Sequence, residues 1–181
     1  MIIPFADISE ASFSSSGLYR WSLSRRLNNN ISTIIFIGLN PSKATLTRND
    51  PTLRRLINFS FSWGYGNLTV VNLFARICSS ASFIRRCNDP IGKENDQELS
   101  FRIAEWSQNP SVDVWLGWGN QGTWQNRNLQ IMELLKANAI QRASKFPFSR
   151  GPLSLGLTKN GHPCHPLYIS KKKCLKSFYL R

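Results

Sequence analysis

Amide, aromatic and imidazole side chains follow the apolar runs of this sequence, and they are the residues best suited to recognise a polar ligand. Asn40 follows one such run, Asn72 lies within the run 68–74, and Trp118 ends the run 112–118. The amide of Asn72 presents one donor and one acceptor, complementary to the N3 hydrogen and O4 oxygen of a uracil or thymine edge. An asparagine at a strand end can equally tie a neighbouring loop to the sheet.

The two histidines of the chain, His162 and His165, lie in one loop punctuated by Pro163 and Pro166. Because an imidazole can stabilise negative charge, either histidine is a candidate to stabilise a leaving group or to contact a phosphate. A metal site built on His162, Cys164 and His165 lacks an evident distant ligand to complete it. We therefore expect neither a metal ion nor another cofactor.

The glycine pattern argues against two common enzyme classes. Gly117-Trp118-Gly119 is too short for a dinucleotide fingerprint, and the sequence contains no glycine-rich phosphate loop. It also lacks serine, histidine and aspartate in the order of a catalytic triad. A dinucleotide enzyme or a kinase is therefore not expected.

Short apolar runs alternate with helical patterns along the chain, which predicts a mostly parallel sheet with helices on both faces. Asp50 is a predicted N-cap with Pro51 at the first helical position, and the helix is expected to stop near Gly64. Asp89 and Pro90 are expected to open a second helix. The core strands are predicted at 34–37, Leu68 to Phe74, Val112 to Trp118 and Leu153 to Leu157, and the later helices at Lys93 to Trp106 and Leu129 to Ala139.

Two apolar-rich runs near the start of the chain predict a hairpin. Leu18 to Ser24 and Ser32 to Gly38 flank three consecutive asparagines at 28–30, a residue type that tolerates turn geometry. The first run is therefore predicted to be an antiparallel edge strand. The expected fold is an α/β three-layer sandwich with about four core strands in a mostly parallel sheet plus this N-terminal edge strand.

The loops that leave the carboxyl ends of parallel strands surround the ligand crevice of such sheets. Trp63 and Tyr65 are further aromatic residues that could stack a base, although packing is the commoner role of such residues. The candidate catalytic residues are Asn40, His162 and His165. The candidate binding residues are Gly38, Leu39, Pro41, Ser42, Asn72, Phe74, Trp118, Asn120, Leu167 and Tyr168. We expect all of these loops to form one site.

Acidic residues near the predicted crevice are few, and two of them have a structural explanation. Asp50 and Asp89 are adequately explained as helix caps. The acids expected nearest to the crevice are Asp50, Asp89, Glu94, Asp96 and Asp113.

A chain of 181 residues is long enough for a single domain with a hydrophobic core of its own. We expect one domain over 1–181, with a peripheral N-terminal segment at 1–16 and a basic tail at 170–181. The four cysteines form no CxxC pair, so reduced thiols in a cytoplasmic protein are expected. The first residues resemble no secretory leader and no apolar run is long enough to span a bilayer, so no membrane association is expected.

The charge balance favours a polyanionic partner. The chain carries 23 Lys and Arg against 10 Asp and Glu, a formal net charge of +13. Such an excess predicts binding to nucleic acid or nucleotides that weakens with salt, although a solvated basic surface has the same composition. No obligate protein partner is indicated. The candidate phosphate contacts are Arg25-Arg26, Arg54-Arg55, Arg85-Arg86 and Lys171-Lys172-Lys173.

Four of these motifs, in this order, resemble the uracil-DNA glycosylase superfamily. That superfamily carries a Gly-x-(Asp/Asn)-Pro loop, an Asn at the end of the second core strand, an apolar strand ending Leu-Trp-Gly and a His-Pro-Ser loop. The corresponding segments here are Gly38-Leu39-Asn40-Pro41, Val70-Val71-Asn72, Leu116-Gly117-Trp118-Gly119-Asn120 and either His162-Pro163-Cys164 or His165-Pro166-Leu167.

The resemblance implies a role for each matching position. Asn40 would hold a water molecule by its amide, and catalysis would then rest on positioning because an amide is no strong base. Leu167 or Tyr168 would be the wedge that this loop inserts into a duplex. Ser42 stands where relatives carry Gly or Tyr, and the stacking Phe loop between the first two strands has no counterpart. These departures argue against assigning uracil itself.

A closer resemblance extends over nearly the whole chain. The segments Arg-Trp-Ser-Leu, Gly-Leu-Asn-Pro-Ser, Asp-Pro-Thr, Trp-Gly-Tyr-Gly, Val-Asn-Leu-Phe and His-Pro-Leu-Tyr are similar to a bacterial and phage family known as domain of unknown function 1643. That family supplies no function.

Three hypotheses follow from the sequence. The first is a glycosylase-like protein that binds a nucleobase and hydrolyses the N-glycosidic bond of a deaminated or modified base. The second is a nucleic-acid or nucleotide binding protein without catalysis. The third is an enzyme that acts on a small nucleotide or metabolite, for which the basic surface is incidental.

Overall fold

The computed structural model describes residues 9–78 and 81–180, so residues 1–8, 79–80 and 181 lie outside the description. Within the described chain a seven-stranded sheet has the order β1-β2-β4-β3-β5-β6-β7. The strands are β1 (Ser9–Phe13), β2 (Arg20–Arg26), β3 (Thr33–Gly38), β4 (Asn67–Asn72), β5 (Val112–Leu116), β6 (Leu153–Ser154) and β7 (Lys176–Ser177).

The four strands at the centre of the sheet, β4, β3, β5 and β6, are parallel. Ile37 lies opposite Val71 on one side and opposite Leu116 on the other. Trp115 pairs with Leu153, which extends the parallel arrangement to β6. The outer pairs β1–β2, β2–β4 and β6–β7 are antiparallel. The prediction of an α/β fold with a mostly parallel sheet and four core strands is therefore confirmed.

The predicted N-terminal hairpin is wrong. β2 pairs with β4, with Leu23 opposite Val70, so β4 lies between β2 and β3. The edge position belongs to β1, which is part of the segment 1–16 that was expected to be peripheral. The remainder of that prediction, residues 1–8, falls outside the described chain. Local apolar pattern locates a strand but carries no information about its partner, which explains the error.

Asp50 caps helix α1 (Pro51–Ser62) as the sequence predicted. Its side chain accepts a hydrogen bond from the backbone N–H of Leu53, and Pro51 occupies the first turn. The chain leaves the helix at Trp63 and turns through Gly64, which has φ +85°. This helix begins where the loop after β3 ends, so the cap fixes one border of that loop.

The other helices differ in part from expectation. Helix α3 (Asn95–Gln108) begins after Glu94, while Asp89 accepts the N–H of Gly92 in the preceding turn instead of opening the helix. Helix α4 (Arg127–Lys145) is longer than predicted, and the short helix α2 (Ala81–Ile84) was not foreseen. The basic tail also takes part in the fold, because β7 pairs with β6 and Phe178 is buried.

Two apolar layers cover the two faces of the sheet. Helix α1 packs with Leu53 and Leu56 against a layer that contains Phe36 and Trp115. Helices α3 and α4 pack on the opposite layer, which contains Trp106. The sheet therefore lies between helical layers, and its carboxyl edge stays free for the loops. No helix in the described ranges is long and apolar enough to cross a membrane.

Candidate functional site

A cavity of about 530 Å³ opens at the carboxyl edge of the parallel strands, within the size range of small-ligand sites. Four loops form it, and they leave β3, β4, β5 and β6. The residues that line it are Leu39, Asn40, Ser42, Thr52, Cys78, Trp118, Gly119, Asn120, Gln121, Thr158, Cys164, His165, Tyr168 and Ile169.

The side chain of Asn40 joins the loops after β3 and β4. Its amide Nδ2 donates to the carbonyl oxygen of Cys78 at 2.9 Å and to that of Pro41 at 3.1 Å. These bonds fix the amide with Oδ1 on the opposite side of the group, where the described residues offer it no partner. Asn40 thus fastens the two loops together through Nδ2, and its Oδ1 stays without a partner among the described residues.

A smaller inner pocket of about 20 Å³ adjoins the cavity and shares Asn40, Ser42 and His165 with it. Asn72, at the end of β4, lines this inner pocket and is only 3% exposed. Within the described chain its Nδ2 has no hydrogen-bond partner. A buried amide nitrogen that holds no neighbouring loop is available to a ligand atom or to a water molecule.

Gly38 makes the close approach of β3 to Asn72 possible. A Cβ atom at this position would lie 2.8 Å from Cε1 of Phe36 and 2.9 Å from Oδ1 of Asn72. The glycine therefore leaves room for the asparagine side chain at the inner pocket, where both residues form the wall.

His165 is the histidine that lies at the cavity. It lines both the cavity and the inner pocket, and its Nδ1 accepts the N–H of Leu167 at 3.4 Å. This contact favours the tautomer that carries the proton on Nε2. Burial lowers the pKa of His165 below its ordinary value of 6.5, so the imidazole is neutral at pH 7.

His162 lies apart from the cavity lining, although its segment supports the site. Its backbone N–H donates to Oγ1 of Thr158 at 3.2 Å, and its carbonyl accepts the N–H of Thr158 at 2.8 Å. The structure thus brings His165, and not His162, to the cavity. Three other candidates are absent from the linings that the described residues form: Pro41, Phe74 and Leu167.

Trp118 and Asn120 both line the cavity beyond β5. Trp118 is 2% exposed, so it can offer only a small part of its ring to a ligand. Oδ1 of Asn120 lies 2.6 Å from Oγ1 of Thr158, which links the loops after β5 and β6. In contrast, Trp63 stacks on Phe59 in the core on the α1 side and lies away from both cavities.

Tyr65 also belongs to the framework and not to the site. Its hydroxyl donates to Oδ2 of Asp113 at 2.5 Å, and the residue is part of the core beneath α1. The aromatic residue that the structure offers to solvent at the cavity is Tyr168, which is 85% exposed. Its ring centroid lies 5.7 Å from that of His165.

Several of the acids predicted near the crevice have structural roles instead. Asp50 caps α1, Asp96 accepts from the buried Arg127 at 2.5 Å, and Asp113 accepts from Tyr65. Neither cavity is lined by Asp or Glu in the part of the chain that is described. Among the described residues, therefore, no carboxylate base faces the cavity.

Of the basic residues predicted to contact phosphate, some are buried and hold loops, whereas others are exposed to solvent. Arg25 is buried and donates to Asn49 and to the carbonyl of Thr45, so it holds the loop after β3 instead. Arg55 is half-buried and donates to the carbonyl of Ile169. Exposed basic residues in the strand-end loops and the C-terminal segment are Lys43, Arg48, Arg85, Arg86, Lys159, Lys171, Lys172 and Lys173.

Two exposed basic residues have direct links to the cavity. Arg85 donates to Oε1 of the cavity residue Gln121 at 2.5 Å. Lys173 is close enough to the cavity residue Cys164 to act on its pKa, although burial outweighs that effect and raises the pKa of the thiol. Among residues 9–78 and 81–180, no three His, Cys, Asp or Glu side chains cluster as metal ligands.

Several lining residues were not predicted from sequence. Arg20 lines the inner pocket from β2, far from the strand-end loops in sequence. The feature that could have identified it is an arginine at the first position of a mostly buried strand. The other unpredicted residues are Phe36, Leu53, Leu56 and Val70 in the inner pocket, Thr52 in both linings, and Cys78, Gly119, Gln121, Thr158, Cys164 and Ile169 in the cavity.

The fold and the cavity define an α/β protein with a ligand crevice at the carboxyl edge of a mostly parallel sheet. Residues 20–167 match the family described as "Protein of unknown function (DUF1643)", and the chain belongs to that family. The match includes β2 through the His-Pro loop, and hence the four loops of the cavity. No curated protein and no solved structure matches the chain significantly.

Proposed function

We propose that the cavity binds a nucleobase presented by a nucleic acid. The observation that carries the proposal is the convergence of Asn40, Trp118 and His165 on one cavity, with Asn72 in the adjoining inner pocket. A base needs an apolar slot with a few placed donors and acceptors, and these residues supply both. The resemblance to the uracil-DNA glycosylase superfamily supports the same ligand class.

The surroundings of the cavity suit a polymer better than a free base. Tyr168 is 85% exposed at the cavity, and an aromatic ring in that position can stack on a neighbouring base or wedge into a duplex. Exposed Lys and Arg residues in the strand-end loops can contact phosphates. Binding should therefore weaken steeply as salt is added.

Hydrolysis of an N-glycosidic bond is the reaction that the geometry supports best. Oδ1 of Asn40 would accept a hydrogen bond from a water molecule and orient its oxygen towards C1′ of the sugar. As the new C1′–O bond forms, the C1′–N bond breaks and its electron pair leaves with the base. The water proton passes to solvent.

His165 would stabilise the departing base in this reaction. A neutral imidazole with its proton on Nε2 can donate to a base oxygen on which negative charge develops. The base is then protonated by solvent. Electrostatic stabilisation of this kind is worth roughly 100-fold or more in rate.

Release of free base from labelled oligonucleotides tests the proposal. Single- and double-stranded substrates that carry uracil, hypoxanthine or an alkylated base are incubated with the protein, and free base and abasic strand are measured by mass spectrometry. Asn40→Ala and His165→Gln should abolish release, whereas the matched control His162→Gln should retain it. Absence of release from every substrate would exclude the hydrolytic reaction.

A second candidate, base binding without hydrolysis, has an observation in its favour. Nδ2 of Asn40 is committed to two carbonyls, and no described carboxylate lines the cavity to act as a base. This candidate predicts salt-sensitive oligonucleotide binding that is stronger with a base than with an abasic position, and no product. Binding that is indifferent to both salt and base would rule it out. Competition by mononucleotides as strong as by oligonucleotides would favour a small-nucleotide ligand instead.

A further inference from the structure

Two buried residues that line one small pocket each carry a donor without a partner in the described chain. Arg20 is 2% exposed and Asn72 is 3% exposed, and both line the inner pocket of about 20 Å³. Within the described ranges, Nε of Arg20 and Nδ2 of Asn72 lack any hydrogen-bond partner. These two donors come from β2 and β4, and neither has an acceptor among the described residues.

Arg20 also carries a buried positive charge that has no ion-pair partner among the described residues. Its Nη1 donates to the carbonyl of Ala44 at 2.9 Å, but the guanidinium forms no salt bridge with any described carboxylate. Burial lowers its pKa to about 10, and the more distant Asp50 offsets only part of that effect. A buried cation without a counter-charge is costly, so a ligand oxygen that carries negative charge would be bound favourably there.

The size of the inner pocket limits what can enter it. A volume of about 20 Å³ is close to that of one water-sized probe and far below that of a phosphate or a ring. One exocyclic atom of a ligand that occupies the larger cavity would fit. The neighbouring walls, Phe36, Leu53 and Val70, are apolar and favour a single well-placed polar atom.

We propose that the inner pocket is an oxo-group subsite in which Arg20 and Asn72 bind one exocyclic oxygen of the ligand. The subsite selects bases with an oxo group at that position and rejects bases with an amino group, since two donors would then face a third donor. This inference rests on the proposed function for the kind of ligand, and it adds its substrate class. Arg20 would also stabilise negative charge that reaches this oxygen when a base departs.

Binding of matched oligonucleotides measures the selectivity. The oligonucleotides share one sequence and carry uracil, cytosine, hypoxanthine, adenine or an abasic analogue at the central position. The oxo bases should bind on the order of 100-fold more tightly than their amino counterparts, because charge-assisted and neutral hydrogen bonds are both lost. Arg20→Met should reduce this ratio by about tenfold or more.

A matched control variant removes another buried arginine. Arg142→Met also removes an arginine that is 2% exposed, yet Arg142 lies outside both cavity linings and its donors hold the carbonyls of Trp106, Asn109 and Arg150. It should leave the ratio unchanged while it destabilises the fold. If Arg20→Met does not fold, Arg20→Lys provides the test, because it keeps the charge but lacks the Nε–H donor.

A second measurement separates the subsite from the proposed function. Free uracil or cytosine is titrated into the protein, and the Nε–H resonance of Arg20, assigned by its loss in Arg20→Met, is followed by NMR. A shift with uracil and none with cytosine supports the subsite even if oligonucleotides with a base bind no better than the abasic one, a result that would overturn the proposed function alone. Equal shifts of the Arg20 resonance with uracil and cytosine, or no shift with either, would overturn the subsite. Equal affinity for oxo and amino bases, in oligonucleotides that bind more tightly than the abasic one, would overturn it as well.

Discussion

The side-chain amide of Asn40 donates to the carbonyl oxygen of Cys78 at 2.9 Å, and this bond joins the loop after β3 to the loop after β4. A residue 38 positions away along the chain thereby sets the orientation of the Asn40 amide at the cavity. The amide that lines the cavity is thus also part of the framework that holds the two loops together.

Asn40→Asp should destabilise the fold and weaken ligand binding. The substitution replaces the Nδ2 donor by a carboxylate oxygen that faces the carbonyls of Pro41 and Cys78. We expect a loss of about 1–3 kcal/mol in the free energy of unfolding, measured with urea. The exposed Asn160→Asp serves as control and should change it by less than about 0.5 kcal/mol. Equal changes in the free energy of unfolding for the two variants would show that the Asn40 amide does not stabilise the loops.

Gly38→Ala should impair binding through the inner pocket. The new methyl group would meet the ring of Phe36 at 2.8 Å and Oδ1 of Asn72 at 2.9 Å, so one of them must move. Overpacking of this kind costs about 1–3 kcal/mol. Gly151→Ala is the control, because a Cβ atom there meets nothing within 4 Å. Unfolding and oligonucleotide binding are measured for both, and a Gly38→Ala protein with full affinity would contradict the assigned position of Asn72.

Tyr168→Ala should weaken oligonucleotide binding without loss of stability. Stacking of a base on an aromatic ring is worth about 1–3 kcal/mol, which corresponds to at least about fivefold in affinity. Tyr168→Phe should retain the affinity because the ring remains. Tyr179→Ala is the matched control, since Tyr179 is 81% exposed but lies outside the cavity lining. Fluorescence anisotropy gives the affinities, and an equal loss in the two alanine variants would refute the stacking role.

Acid should destabilise the protein through His165. Because the folded-state pKa of His165 is lowered below 6.5 by burial, the unfolded chain binds the proton more readily. Stability is therefore lost as pH falls below about 6.5 and continues to fall until the folded-state pKa is reached. Urea unfolding at pH 7.5 and pH 5 should show a smaller decline in His165→Gln than in the wild type. A decline in His165→Gln as large as in the wild type would contradict the expected burial of the His165 imidazole.

The thiol of Cys78 should react slowly with alkylating reagents. Burial raises the pKa of Cys78, and a hydrogen bond with Cys87, whose Sγ lies 3.9 Å away, adds to the effect. A raised pKa means less thiolate at neutral pH, and the thiolate is the reactive form. Exposed Cys174 should be alkylated first, and the rate at Cys78 should rise with pH. Peptide mass spectrometry follows both, and labelling of Cys78 at the rate of Cys174 would contradict the expected burial.

Local signals in the sequence located most elements correctly. Asp50 and Pro51 predicted the start of α1 because capping depends on adjacent residues alone. The strand-end positions of Asn40 and Trp118 followed from the alternation of strands and helices. Their contact with one cavity agrees with the general rule for parallel sheets.

The pairing of strands that are distant in sequence could not be predicted. The partner of β2 is β4, more than forty residues later in the chain, and neither strand carries a local mark of that choice. For the same reason Arg20 was not expected at the site, since it reaches the inner pocket only through this pairing. The roles of His162 and His165 could not be separated from their spacing, because the turn at Thr158 decides which imidazole faces the cavity.

The short strand β6 has a consequence for how the protein is made. Its two residues, Leu153 and Ser154, come after β3, β4 and β5 in the sequence. The segment that carries His165 and Tyr168 follows them. The ribosome therefore synthesises β3, β4 and β5 well before the residues that complete the cavity. A chain that ends before β6 would contain those three strands together with Asn40 and Trp118, but it would lack the wall formed by His165 and Tyr168.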